Sequence, residues 1–299
     1  MCASVRRKAR LSPFRRCPIP WRDSELLPMR AICLIGPAGI AAMCLILFAW
    51  QAHPEYSLVI AANRDEYFHR PAAPAHFWPD RPHILAGRDL EQNGTWLGVD
   101  TRGRIAALTN FRNPGERNAA APSRGLLVSE LLGASQPTEA YLDGLAASGL
   151  QYNGFNLLVS DRRTLWHYSN RGGAAEVIAP GVHGLSNHLL NTTWPKVEAG
   201  KARLRQLISR EFDPAEILGL LDDTGVAADD VLPDTGIGLE RERKLSAARI
   251  VGPGYGTRCS TVLLVRPNGE TEFIERTFLE DGGIAATASF RFKLGDSPA

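Results

Sequence analysis

"AAMCLILFAW", residues 41–50, sets a methionine and a cysteine inside an uncharged run that extends from Ala31 to Trp50. Three readings compete for it. Twenty uncharged residues after an arginine-rich stretch match a membrane helix or a secretory signal. The second half, "CLILFAW", is short, apolar and ends in aromatics, as a buried strand does. The third reading makes Met43 the initiator and Cys44 the first residue of the mature protein. Gly36-Pro37 and Gly39 interrupt the run, and the arginines are scattered over more chain than a signal's charged region occupies. We therefore read residues 1–42 as a leader, either untranslated or disordered, and 43–299 as a single domain.

Charge and cysteine divide at the same place. Residues 1–42 hold eight Lys or Arg and two acids. Of 34 basic and 32 acidic residues in the whole chain, 26 and 30 remain for 43–299, a net charge of −4. A body without a large positive field is a poor match to nucleic acid. Cys2, Cys17 and Cys33 lie in the leader, and the body keeps only Cys44 and Cys259. No disulfide framework and no zinc spacing follow from that count. It suits a reducing compartment, and a cytoplasmic location is expected.

A start at Met43 has chemical consequences. Initiator methionine is normally removed before a small residue such as cysteine. Cys44 would then carry a thiol and a free α-amine on one carbon. The amine titrates at about 7.7–8.0 and the thiol at about 8.5, so the amine can serve as base for its own side chain. The thiolate would need cations to lower its pKa and donors to hold an oxyanion. Against this stands the frequency with which cysteine is simply buried.

The next stretch, "YSLVIAANRDEYFHRP", has a β-prone run, Ser57–Ala62, that pairs as a hairpin with Cys44–Trp50. Asn63-Arg64-Asp65-Glu66 at its mouth is either a solvated loop or a site, and the hairpin would return Arg64 and Asp65 toward Cys44. The stretch that begins at Arg70 opens proline-rich and irregular. His69, His76 and His83 are spaced by seven, but the intervening prolines forbid one helix face, so we read surface or packing histidines and no metal. Strands are expected at Thr95–Asp100 and Arg104–Asn110, the second ending in an amide and a guanidinium, Asn110 and Arg112. Helices are expected over 123–133 and 137–148, and near Pro195–Ser209, with a short one from Asp213-Pro214. Strands are expected in "FNLLVSD", "TLWHYSN" and "VHGLSN". Residues 222–247 read as a long mobile connection over the site. Arg258 precedes a last hairpin, Cys259–Arg266 and beyond, with "PNGE" as its turn and "ATASFRFKL" as a final strand. Hairpins, then helices, then strands imply two stacked antiparallel sheets covered by helices.

Six blocks, "MCLILFAW", "AANRDEYFHRP", "GTWLGVD", "ALTNFRNP", "GLSNHLLNTTWPKV" and "YGTRCSTVLLV", together resemble the NRDE family, that of the transport and Golgi organisation protein 2. The resemblance covers 43–299 in order, and the leader is its departure. It implies an α+β fold, a four-layer αββα sandwich of the N-terminal nucleophile hydrolases, distantly similar to choloylglycine hydrolase and penicillin V acylase. By motif context it implies Cys44 as nucleophile with Arg64 and Asp65 as neighbours. Asn110 and Asn187 would be oxyanion or amine-positioning donors, and Arg258 the late arginine. Adjacent strand residues face opposite sides, so Arg64 and Asp65 are not both expected to face the thiol.

The function expected is hydrolysis of an amide or thioester in a small-molecule substrate. Trp96, Phe111, His188 and Trp194 are expected to line the substrate pocket. Ion pairing of Arg64 with Asp65, turn capping by the asparagines and core packing of the aromatics are the structural alternatives. The resemblance also implies a second possibility, a pocket for haem or an acyl-CoA-like hydrophobic anion, with His188 or Cys44 as an axial ligand. No resident cofactor is expected for the hydrolase reading. A protein tethered to a membrane through 31–50 is the third, and no stable anchor is expected.

Overall fold

The computed structural model describes residues 43–295. The leader, and with it the question of its translation, lies outside the described residues. Alternating and continuous apolar runs give strands β1 (Met43–Trp50), β2 (Leu58–Tyr67), β3 (Ala72–Trp78), β4 (Arg81–Asp89), β5 (Leu97–Asp100) and β6 (Ile105–Asn110). Helices α1 (Gly125–Gly133) and α2 (Thr138–Ser148) follow, then β7 (Phe155–Ser160), β8 (Leu165–Ser169), β9 (Glu176–Val177) and β10 (Gly181–Leu185). The chain continues through α3 (Pro195–Ile208), α4 (Pro214–Leu221) and α5 (Leu239–Leu245) to β11 (Tyr255–Val265), β12 (Glu270–Phe278) and β13 (Ile284–Lys293).

The strands form two antiparallel sheets, ordered β10-β1-β2-β11-β12-β13 and β3-β4-β5-β6-β7-β8-β9. Three apolar clusters show how they stack. Ile46, Phe48, Ile60 and Leu263 of the first sheet meet Leu85, Val99, Ile105 and Leu158 of the second. On the first sheet's other face, Leu45, Leu47, Val59 and Val262 pack under α3 and α4. On the second sheet's other face, Ala106, Leu157 and Val159 pack under α1 and α2. The layers are therefore helix, sheet, sheet, helix, and the αββα expectation holds. Period-2 alternation divides each central strand between the two clusters, which explains why β1 and β2 read as unbroken apolar runs.

Local signals act as expected at the helix starts. Pro195 occupies the first turn of α3, and Asp213 with Glu216 forms a reciprocal capping box on α4. The α1 and α2 helices fall within the predicted ranges.

Three expectations are corrected. The strand β2 does not end at Ala62: residues 63–66 continue it, with 63–65 paired to both β1 and β11 and Glu66 to β11 alone. The proline-rich stretch 72–89 is not irregular: it forms β3 and β4. Pro74 sits in β3, the edge strand of its sheet, and Pro82 falls where the β3–β4 register shifts, both places where a missing N–H is tolerated. The connection 222–247 is fastened rather than loose. It contains α5, and Glu242 of that helix makes a 2.5 Å ion pair with Arg112, both side chains 4% exposed. Its Leu245 packs with Ile250, Tyr255 and Tyr67.

Candidate functional site

Antiparallel register builds the site. Cys44 stands opposite Arg64, and Arg64 stands opposite Cys259 on the other side. Directly opposed residues share a face, so Cys44, Arg64 and Cys259 form a row between the two sheets. β10 ends at Leu185, opposite Ile46 and two register steps short of Cys44, and Ser186 takes over by donating from Oγ to the Cys44 carbonyl at 3.0 Å.

The row opens on a cleft of about 350 Å³. Cys44, Arg64 and Glu66 line it from the first sheet, and Trp96, Leu108 and Asn110 from the second. Arg117, Ser123 and Arg124 close the side toward α1. The Arg64 guanidinium lies 4.2 Å above the Trp96 ring. That ring is held by an absence: a Cβ on Gly87 would stand 2.3 Å from its six-membered edge. Glu66, two residues after Arg64 and so on the same face, approaches it at 3.8 Å.

Asp65 faces the opposite way, toward α3, and is fully buried. Its Oδ1 accepts from Thr257 Oγ1 at 2.6 Å. Its Oδ2 has no hydrogen-bond partner among the described residues. Burial lifts this carboxyl to about 6, while the nearby Lys196 ammonium and the Thr257 hydrogen bond draw it down. Lys196, also buried, donates from Nζ to the Leu245 carbonyl at 2.9 Å, and burial lowers it to about 8 against the pull of Asp65. Asn63, on the same face, ties the sheet to the Leu221 and Ala248 carbonyls.

The Cys44 thiol, 8% exposed, is pushed up to about 12 by burial first and by the Asp65 charge second. Arg64 and a hydrogen bond from the Asp65 backbone act in the other direction. Arg64 thus meets the thiol with its side chain and Asp65 with its main chain.

The remaining sequence-derived candidates fall into two groups. Asn110 lines the cleft, and Asn187 lies behind it: its Nδ2 donates to the Asn110 carbonyl at 3.0 Å. Trp96 lines the cleft, but Phe111, His188 and Trp194 do not. They stack on one another, with His188 centroids 4.9 Å from Phe111 and 5.9 Å from Trp194, and Arg112 sits 4.5 Å over Trp194. His188 also bonds Thr192 at 2.9 Å. Arg258 is not brought to the thiol. The register skips it between Thr257 and Cys259, a bulge that turns it out of the row. It donates instead to the Tyr67 and Arg70 carbonyls at 2.7 and 3.0 Å and stacks on Phe68.

Sequence reasoning missed Arg124 and Lys196, and it offered Glu66 only as part of the Asn63–Glu66 run without giving it a place. Glu66 follows from alternation once Arg64 is placed. Arg124 and Lys196 carry no local signal, because each reaches the site from a helix start distant in sequence.

A family model described as Transport and Golgi organisation 2 matches residues 43–280. The chain belongs to this family. Relatives within it include the Transport and Golgi organization protein 2 homologs of Bos taurus and Homo sapiens. The first is 39% identical over 279 residues, covering 84% of this chain and 99% of that protein. The second is 36% identical over 275 residues with the same coverage, 84% and 99%. Among solved structures, the chain is similar to a Caenorhabditis elegans N-acylethanolamine-hydrolyzing acid amidase ortholog at 12% identity, TM-score 0.36, covering 75% of this chain and 93% of that one. It is similar too to a mutant conjugated bile acid hydrolase from Clostridium perfringens, at 10% identity, TM-score 0.37, covering 85% and 98%. Among the described residues no helix of this family member is long and apolar enough to cross a membrane, and no cluster of three or more potential metal ligands occurs.

Proposed function

We propose that this chain is a cysteine N-terminal nucleophile hydrolase acting on an amide or thioester of a small acyl substrate. The observation that carries the reading is the pairing of Cys44 in a cleft with a buried Asp65 carboxylate oxygen that has no hydrogen-bond partner among the described residues. Asp65 is opposite residue 43 in the β1–β2 register. Cleavage ahead of Cys44 would create an ammonium beside Asp65, the partner its Oδ2 lacks.

The free α-amine takes the thiol proton, and Sγ attacks the carbonyl carbon. Asn110 donates to the resulting oxyanion, with Asn187 positioning it through the 3.0 Å bond to its carbonyl. Collapse breaks the C–N or C–S bond, and the ammonium returns the proton to the leaving group. Water then attacks the acyl-Cys44 thioester, again deprotonated by the amine, and releases a carboxylic acid. Arg64 favours the thiolate, and Asp65 orients the ammonium. Arg258, held by the β2–β3 turn, acts only through the strand it braces.

The test is acylation of the chain beginning at Cys44 by a 4-nitrophenyl acyl ester, followed by intact mass. One acyl adduct that maps to Cys44, decays with release of acid and vanishes in Cys44→Ala is expected. A wild-type protein that neither acquires the adduct nor releases nitrophenol overturns the proposal.

A further inference from the structure

The cleft's cations are unequally satisfied. Arg70 pairs with Asp89 at 2.7 Å and with Glu91 at 3.6 Å. Arg64 has Glu66 at 3.8 Å and the face of Trp96. Arg124 differs. It stands half-buried at the junction of α1 with the cleft wall, where Nη1 donates to the neutral carbonyl of Gly154 at 2.9 Å. Among the described residues no carboxylate lies within ion-pair distance of it. A guanidinium withdrawn from water without a counter-ion is costly, and proteins normally pair such a charge or reserve it for a ligand. The bond to Gly154 fixes the fork without neutralising it, so the remaining N–H groups are oriented before any ligand arrives. The positive end of α1 lies on the same wall.

Arg124 also bears on the reacting thiol. The two side chains line the same cleft, with Glu66 on the facing wall. Arg258 is displaced by the bulge and does not line this cleft, so beside Arg64 the cleft takes a cation from the start of α1 rather than from β11.

We propose that Arg124 binds an anionic group, a carboxylate or a phosphate, on the substrate whose carbonyl Cys44 attacks. The substrate class is then an acyl compound with an anionic end, and a neutral acyl chain of the same size is the poorer ligand. This rests on the hydrolase reading for the identity of the reaction, but anion binding itself does not.

Two measurements separate the two claims. Alkylation of Cys44 by iodoacetate and by iodoacetamide compares an anionic with a neutral reagent at one thiol. The iodoacetate to iodoacetamide rate ratio is expected to fall about tenfold in Arg124→Gln, the fold-change equivalent to about 1.4 kcal/mol, and to be largely kept in Arg124→Lys. An unchanged ratio in Arg124→Gln overturns the proposal. Thermal denaturation with glutarate or inorganic phosphate reads anion binding without any reactive thiol. A saturable rise in Tm that is kept in Cys44→Ala and lost in Arg124→Gln is expected, and the more effective anion tells carboxylate from phosphate. No rise with either anion, or an equal rise in Arg124→Gln, overturns it. If Cys44 resists both reagents, the hydrolase reading fails and the thermal measurement alone decides the role of Arg124.

Discussion

The reactivity of Cys44 is expected to depend on whether any residue precedes it. Inside a continuous chain the thiol sits at about 12, against an ordinary 9.0, because burial and the Asp65 charge both oppose the thiolate. Three units at about 1.36 kcal/mol each amount to about 4 kcal/mol. At pH 8 only about one thiol in 10⁴ is then ionised, against about one in ten at the ordinary value. Freeing the α-amine places an ammonium about 4 Å from Sγ. At an effective dielectric constant of about 20 that charge is worth about 4 kcal/mol, enough to cancel the penalty. The chain beginning at Cys44 is therefore expected to react with iodoacetamide at pH 8 about 10³ times faster than the chain that retains upstream residues. The rate is read by quenching timed samples and mapping the carbamidomethylated peptide that contains Cys44. Equal rates, with the same pH midpoint, would refute the role given to the amine. So would a fast reaction of the longer chain at neutral pH.

Four further outcomes follow from named contacts. Lys196→Met removes the charge that most opposes the burial of Asp65, so the acid limb of the Cys44 pH–rate profile moves to higher pH; an unmoved limb would exclude Lys196 from the site. Asp65 is held about two units above its ordinary 3.8, so ionising it subtracts about 3 kcal/mol of stability as pH rises from about 4 to 6. The Tm of Asp65→Asn relative to wild type therefore rises across that window, and a constant difference in melting scans would sink the argument. Gly87→Ala drives a methyl into the Trp96 ring and costs about 1–3 kcal/mol, measured by urea unfolding with the indole fluorescence shifted. Glu242→Ala strands the buried Arg112 and costs about 3–5 kcal/mol, while Arg112→Met with Glu242→Leu recovers much of it; hydrogen exchange over 229–250 is the readout.

What could be read from the residues follows from range. The hairpin of β1 and β2 and both later helix pairs were legible because their signals are local: apolar runs, a Pro at a helix start, a capping box. The family blocks brought Arg64, Asn110 and Cys44 to one cleft correctly. The prolines of 71–82 misled, since a proline's tolerance depends on whether its strand is at an edge, which only the assembled sheet decides. Arg258 misled for a similar reason. Its place before the last hairpin was right, but a one-residue bulge opposite Arg64 and Asp65 is invisible without the pairing. Phe111 and His188 directly follow Asn110 and Asn187, and Trp194 stands at the start of α3, yet the three rings stack on one another apart from the cleft, a tertiary contact that no local pattern announces.

The row Cys44, Arg64, Cys259 has a bearing on oxidation. The two cysteines lie on strands that flank β2, so their Cα atoms are separated by about two strand spacings, roughly 9.5 Å. A disulfide needs about 4.4–6.8 Å, and the intervening strand cannot leave without dismantling the sheet. A sulfenic acid formed at Cys44 therefore has no resolving thiol within the sheet. Its rescue depends on a small thiol small enough to enter the cleft, and the site is exposed to further, irreversible oxidation wherever such thiols are scarce.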